Sequence, residues 1–414
     1  MEETHVVTAF LRNGTDVLLL RRSAAVGSYA GRWGAVAGHA EGDPATQVRV
    51  EIREETGLDP EADVTLVRAG DPFPVEDTER GTHWVVHLFL FDCDTREITP
   101  NYETADYEWC PPPAIRERET VPDLWTSYDR VRPSVTSVRD DETHGSAYVS
   151  VRACEVLRDE AAAGAGYDAL CATASDLLAA RESMAAVRNR VNRVVAGADG
   201  ESADAVLTSA CATIDAALAA DDGAAASAAV ELRDASLLTL SRSGTAFDAA
   251  VGAEPSRVVV AESRTAREGV ATAERLAAEG MDVTLTTDAA VATLVESVDA
   301  VLVGADTVLR DGSVVNKVGT RAAALAAAEA GVPVYAVCAS DKIAPDVDPD
   351  DPALEEAPAD ALYDGDADLS VANPRFDVTP AHLVTGVVTE DGVLSEADVA
   401  TRADDLRALA EWED

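Results

Sequence analysis

Between residues 237 and 337 five short apolar runs recur, at 237–240, 258–261, 283–286, 300–303 and 332–337, and each is followed by a turn and a helix-like stretch. Runs of four to six residues have the length of strands, and the intervals between them have room for crossover helices. The pattern therefore predicts a parallel sheet of Rossmann-like type. Gly280 and Gly331 stand where two of the helices should stop. In open sheets of this kind ligands are taken outside the carboxyl ends of the strands. Ser241, Glu262, Ser263, Arg264 and Asp306 come right after apolar runs, so all five are expected on that edge.

At 414 residues the chain exceeds one ordinary core, and two or three domains are expected. From about residue 134 to 232 it is rich in alanine and helical in pattern, with breaks at Gly164 to Gly166 and Gly197 to Gly200, which predicts a helical bundle. Nearer the start, runs at 6–11 and 16–21 flank the hairpin signal Asn13-Gly14, and 83–92 is a further strand. One helix over Pro44–Thr56 has Asp43 as its N-cap, Pro44 in its first position and Gly57 past its end. A short helix is expected near 121–131, and Arg132-Pro133-Ser134 marks a boundary. The fold class is α/β in three parts, at residues 1–132, 133–232 and 233–414.

The 76 Asp and Glu against 33 Lys and Arg leave a net charge of −43, and Lys317 and Lys342 are the two lysines. Such a surface repels itself unless counterions screen it, and at molar salt the screening length falls to about 3 Å. The composition is that of a protein adapted to a salty cytoplasm. With 47% hydrophobic residues in periodic segments, an acidic disordered chain is excluded. Direct binding to nucleic acid through a basic surface is disfavoured as well. The six cysteines form no C-x-x-C pair, which argues against a zinc knuckle and a disulfide framework. There is no basic leader after Met1 and no approach to 18 uninterrupted apolar residues, so no membrane segment or export is expected. Residues 345–368 hold ten acidic residues, four prolines and no basic residue, the composition of a solvated loop.

Two clusters carry chemistry. Glu51, Glu54 and Glu55 fall at i, i+3 and i+4 of the Pro44–Thr56 helix and leave it on one face. Three carboxylates so placed repel one another, and they make sense around a hard divalent cation, Mg2+ or Mn2+, that also meets a substrate diphosphate. The segment Val17-Leu-Leu-Leu-Arg-Arg22, then Gly31-Arg-Trp-Gly34, Gly38-His-Ala-Glu-Gly-Asp43 and Glu51-Ile-Arg-Glu-Glu-Thr-Gly-Leu58 resembles the Nudix hydrolases over about residues 1–130. The resemblance implies an α/β/α sandwich, metal held by Glu51, Glu54 and Glu55, and cleavage of a nucleoside diphosphate linked to another group. Two positions depart from the family. Val50 stands where the family has arginine, with Arg49 one place earlier, and the glycine loop is one residue short, leaving Glu41 or Asp43 for its missing glutamate.

In the second cluster, Asn316-Lys317-Val-Gly319-Thr320 precedes an alanine-rich helix over 321–330, whose start is expected to offer N–H groups and positive dipole to a phosphate. On a surface almost without lysine, Lys317 beside that helix start reads as a phosphate partner. Lys342 has no helix start beside it. The stretches Leu237-Leu-Thr-Leu-Ser-Arg-Ser-Gly244, Val259-Val-Ala-Glu-Ser-Arg264, Val303-Gly-Ala-Asp306, Val315-Asn-Lys-Val-Gly-Thr320 and Asn373-Pro-Arg-Phe-Asp-Val-Thr-Pro380 resemble the alpha, beta and delta subunits of translation initiation factor 2B. They are similar also to that family's relatives, methylthioribose-1-phosphate isomerase and ribose-1,5-bisphosphate isomerase. The resemblance implies ligand contacts from Ser241, Arg242, Ser243, Glu262, Arg264, Asp306, Asn316, Lys317, Gly319 and Thr320, with Asp306 the aspartate of the isomerases and Ser241 in place of their cysteine. It implies a homodimer too.

A serine hydroxyl is a far weaker acid than a thiol and needs a neighbouring base to exchange protons near neutrality. The expectation is a protein that binds a sugar phosphate or nucleotide, with a Nudix module that hydrolyses or only binds its ligand. The alternative is a bifunctional enzyme, Nudix hydrolase plus sugar-phosphate aldose-ketose isomerase. An interaction protein with both pockets decayed is a third class, disfavoured by the retention of Asp306 and Lys317.

Overall fold

Strand β1 (Glu3–Asn13) sends Val7, Ala9 and Leu11 to one face of a sheet and Phe10 to the other, the period of two that an extended chain imposes. A computed structural model of the chain describes residues 3–77, 81–348, 352 and 354–413. The chain forms two compact units, one of residues up to Ser134 together with Arg158–Gly164, the other of Val135–Leu157 and everything from Ala165 on. Met1 and Glu2 lie outside the described residues, as do four positions of the acidic 345–368 segment.

In the first unit β1 is followed by β2 (Asp16–Arg22), β3 (Trp33–Gly34), β4 (Val36–His39), α1 (Pro44–Thr56), β5 (Val64–Asp77), β6 (Thr82–Cys93), β7 (Thr104–Cys110), α2 (Ala114–Glu117) and α3 (Leu124–Asp129). The sheet runs β3-β2-β1-β6-β5, with β4 added to β1 and β7 to β2, and β1 is parallel to β6. Val48 and Ile52 of α1 pack on the face of Val7, Ala9 and Leu11, while Ile115, Leu124 and Tyr128 cover the face of Phe10. This makes the expected α/β/α sandwich. Asp43 accepts from the Thr46 N–H and Gly57 closes α1 in the left-handed conformation.

The second unit begins with helices α4 (Val135–Arg139), α5 (Ser146–Ala163), α6 (Tyr167–Ala180), α7 (Ala185–Ala196) and α8 (Ala203–Glu231). Helix α8 is long and apolar enough to cross a bilayer by length and composition. Its Ala224, Ala225 and Ala228, however, belong to a core cluster shared with the sheet that follows, which marks it as a core helix. That sheet alternates β8 (Leu237–Leu240), α9 (Gly244–Ala253), β9 (Val258–Ala261), α10 (Glu268–Ala278), β10 (Val283–Thr286), α11 (Val291–Leu294) and β11 (Ala300–Gly304). It continues, after the short strands β12 (Thr307–Val308) and β13 (Val314–Lys317), through α12 (Thr320–Ala330), β14 (Val334–Val337), β15 (Phe376–Thr379), β16 (Gly386–Thr389), β17 (Gly392–Leu394) and α13 (Glu396–Ala408).

The order β10-β9-β8-β11-β14-β16-β17 is parallel through β16, with β17 antiparallel at the edge. All five apolar runs are strands of it. Strands β16 and β17 went unread in the sequence, as did a separate antiparallel sheet β12-β13-β15, which lays 376–379 against 314–317. With 76 acidic residues on a chain of this size, dilution from molar to low salt is expected to lower the melting temperature by on the order of 10 °C or more. Thermal scans across a salt series check this, and a flat profile counts against it.

Candidate functional site

In the first unit a cavity of about 880 Å³ opens between the α1 face and the strands. Its polar wall holds Glu51, Glu54, Glu55, Glu103 and Arg22, and its apolar wall Val75, Trp84, Val86 and Leu124. The three helix glutamates differ in setting. Glu54 is exposed, Glu51 half-buried and Glu55 buried. Burial, with the nearby Glu51 carboxylate adding to it, pushes Glu55 up to about 8 against a weak pull from the Ala37 N–H and Arg22. Burial also raises Glu51, which keeps a 2.8 Å hydrogen bond from Gln47.

Gly38 makes this placement possible, since a Cβ there would lie 2.0 Å from the Glu51 carboxyl carbon. Of the three neighbours that could stand in for the family's missing groups, Arg49 and Asp43 do not line the cavity. Arg49 turns away to the Pro60 carbonyl at 2.5 Å, and Asp43 is held by the Thr46 backbone and hydroxyl. Glu41 does line the cavity. Among the described residues no three His, Cys, Asp or Glu side chains are drawn together closely enough to hold a metal ion. The donor chemistry nevertheless fits a hard cation, because burial, with neighbouring carboxylates adding to it, raises Glu51 and Glu55, and a divalent charge beside them would offset that cost. Glu103, 48 residues beyond Glu55, carried no spacing signal in the sequence.

In the second unit the strand-end residues are gathered by one the sequence did not single out. Ser241 follows β8 with φ of +67°, and its N–H donates to the Ser263 hydroxyl at 2.6 Å. Its own hydroxyl donates to Glu268 at 3.0 Å, and the Lys317 ammonium donates to the other oxygen of Glu268 at 3.2 Å. Glu268 opens α10, which starts hard against the end of β9. A Cβ on the next residue, Gly269, would lie 1.9 Å from the Ala261 carbonyl oxygen. The signal available was its place, six residues past Glu262, at a helix start.

Asp306 follows β11 and is raised by burial, against the pull of Lys342 and then Lys317. Lys342 was given no role from sequence, yet its buried ammonium donates to the Ala305 carbonyl at 2.7 Å, next to Asp306. It stands on the turn Ser340–Lys342, which α7 grips through Asn189, Arg190 and Arg193.

The start of α12 requires a correction. Its N–H groups are not free: Asp377 of β15 accepts from Gly319 at 2.8 Å and from Arg321 at 3.1 Å. Pairing of β13 with β15 brings it there, a long-range contact that no local pattern announces. Asn316 and Thr320 bind each other at 3.0 Å beneath this turn. The remaining candidates make contacts outside the cluster. Arg242 donates to the Thr143 carbonyl, Ser243 caps α9, Glu262 pairs with Arg267 at 3.4 Å, and exposed Arg264 is fixed by its backbone N–H on Asp288. Cys338 offers no substitute for a thiol at position 241, for burial pushes it up to about 12.

Residues 142–396 match the Initiation factor 2 subunit family and residues 3–131 match the NUDIX domain. A ribose 1,5-bisphosphate isomerase of Haloterrigena turkmenica is 31% identical over 308 residues, 66% of this chain and 93% of that protein. Another, of Haloferax volcanii, is 33% identical over 291 residues, 64% and 90% of the two chains. Among solved structures, a translation initiation factor eIF-2B of Pyrococcus horikoshii OT3 aligns with a TM-score of 0.56 at 24% identity, covering 63% of this chain and 94% of that one. At that identity the likeness concerns the fold.

Proposed function

Because the chain belongs to the Initiation factor 2 subunit family and carries an N-terminal NUDIX domain, we propose that its second unit binds a sugar phosphate or nucleotide at the strand ends. The observation that supports this is the binding of Ser241 and Lys317 to the two oxygens of Glu268, with Asp306 near enough to sense the charges of Lys317 and Glu268, at the edge where open α/β sheets take ligands. Asp306 and Glu268 accept hydroxyls of the ligand, and Lys317 is the cation on hand for its phosphate. The isomerase relatives support the sugar-phosphate class. A homodimer, as in the resembled family, is part of this reading, and sedimentation in high salt tests it.

The cavity of the first unit is proposed to take a nucleoside-diphosphate-type ligand with Mg2+ or Mn2+. Its volume lies within the range of small-molecule sites. Glu51, Glu54 and Glu55 would hold the cation, which supplies Lewis-acid polarisation of a phosphoryl oxygen. Trp84 and its apolar neighbours would bury the less polar end of the ligand. Calorimetry with either cation is expected to detect binding to the wild type and at least about tenfold weaker binding after Glu54→Gln or Glu55→Gln. Equal affinity in all three proteins would remove the assignment.

A second reading, the bifunctional enzyme, has one observation in its favour: the Ser241 hydroxyl donates to a carboxylate, the base a serine needs in place of a thiol. A carboxylate is a poor match to so weak an acid, so turnover is expected to be far below ordinary enzymatic rates. Assays on ribose 1,5-bisphosphate and methylthioribose 1-phosphate decide between the two. The expected outcome is trace conversion, raised by Ser241→Cys and abolished by Asp306→Asn. Conversion at ordinary rates by the wild type would replace the binding reading with the metabolic one.

A further inference from the structure

We propose that Glu268 sets the anion selectivity of the strand-end pocket, by holding the Lys317 ammonium and the Ser241 hydroxyl that a ligand phosphate would otherwise take. The proposal rests on the reading of this pocket as a site for a phosphorylated ligand. Apart from the exposed guanidinium of Arg264, the cationic and N–H donors named here are already met by the chain's own oxygens. Lys317 and Ser241 are taken by the two oxygens of Glu268, the N–H groups of Gly319 and Arg321 by Asp377, and the Lys342 ammonium by the Ala305 carbonyl. The Lys317 ammonium has further N–H groups to offer, but a phosphate that takes them comes close to the Glu268 carboxylate, and to win the one O–H of Ser241 it must displace that carboxylate.

Glu268 is the one placed to yield. Asp377 is clamped by backbone N–H groups at a helix start, where the helix dipole adds to its hold. The Ala305 carbonyl cannot leave the backbone. Glu268 makes its two bonds to side chains, and its own side chain is 23% exposed, which gives it a way out toward water. It is also rooted so that it returns to the same place. Gly269 presses against the Ala261 carbonyl and its N–H donates to the Glu262 carbonyl at 3.1 Å, so α10 cannot slide along β9.

Ligand hydroxyls meet no such obstacle, since they donate to Glu268 or Asp306 without breaking the pair with Lys317. The pocket therefore discriminates against bare phosphate and in favour of ligands whose hydroxyls and phosphate act together. This is selectivity by an internal competitor, a repulsive element set against the wrong ligand.

Calorimetry on the full chain at one fixed high salt concentration, with inorganic phosphate and ribose 5-phosphate as probes, tests this. Glu268→Gln keeps an acceptor for Ser241 but removes the charge, and is expected to bind both probes about tenfold more tightly than wild type, the size of coupling seen between charged neighbours. The gain for inorganic phosphate should exceed that for ribose 5-phosphate. In the double variant with Lys317→Gln the gain should vanish, which a general loosening of the fold would not bring about. Glu268→Ala should show the same direction, should the glutamine variant fold poorly. Equal affinity of wild type and Glu268→Gln overturns the role of Glu268 and leaves the pocket intact. Weaker binding of inorganic phosphate by Glu268→Gln also overturns it, since Glu268 would then assist the anion and not compete with it. Absence of binding to every variant overturns the pocket itself, and the inference with it.

Discussion

Replacing Asp341 by alanine is expected to destabilise the second unit by about 3 kcal/mol, the cost of taking from a buried cation the more deeply buried of its two carboxylates. Asp341 is buried between Arg190 and Arg193. The Arg190 Nε donates to it at 3.0 Å, and Arg190 is fully buried with Asp221 as its other carboxylate at 3.2 Å. Two hydrogen bonds come to Asp341 from Arg193. Burial alone would raise its pKa, but the Arg193 bonds and the charges of both arginines overcome that and hold it below the usual range.

The sign follows. A carboxylate depressed in the folded state contributes stability that is present above its unfolded value, near 3.8, and is lost as the pH falls through its folded value. The loss in Asp341→Ala should therefore be undiminished from neutral pH down to about 4 and shrink only below that. Urea unfolding at fixed high salt reads it. A loss under about 1 kcal/mol would mean the two arginines find water or other partners when Asp341 is gone. Because Lys342 is the next residue, the same variant should also weaken whatever Asp306 binds.

Glu55→Gln is expected to act in the opposite direction and to stabilise the first unit above about pH 8. In the folded protein Glu55 stands at about 8 rather than 4.5, so between those values the folded state holds a proton that the unfolded state has released. Stability then falls as pH rises through that window and is lowest above it. A shift of this size corresponds to a few kcal/mol, and Glu55 is buried enough, at 6% exposed, that solvent does little to screen it. Melting temperatures of the two proteins should coincide near pH 4.5 and separate with rising pH in metal-free buffer. Added magnesium or manganese should narrow the gap by raising the wild type alone. Parallel pH profiles would show that Glu55 is already relieved by a neighbour.

What was legible in the sequence follows from the range of the signal. The caps of α1, the five strands and the helix stops at Gly280 and Gly331 are local, and a few adjacent residues suffice to specify them. The three glutamates of α1 were legible for the same reason, as helical periodicity alone puts them on one face. Asp377 was hidden because its importance comes from the pairing of β13 with β15, some sixty residues apart. Lys342 was judged by its neighbours in the chain, whereas what matters is that β14 and β11 are adjacent in the sheet. Glu268 was in plain view at the start of a helix. A glutamate at a helix start is so common a choice that it carries little information by itself.

The second small sheet has a topological consequence. Strands β13 and β15 pair over four residues, yet the chain between them runs out through α12 and β14 and then through the whole acidic stretch before it returns. The start of α12 is thus held by a clasp whose two halves are distant along the covalent chain. A protease cut within 360–370 would leave the clasp held by its register pairs and by Asp377 on the start of α12. The nicked protein would then be two fragments that travel together, held by the clasp, by β16 beside β14 and by α13 packed in the core.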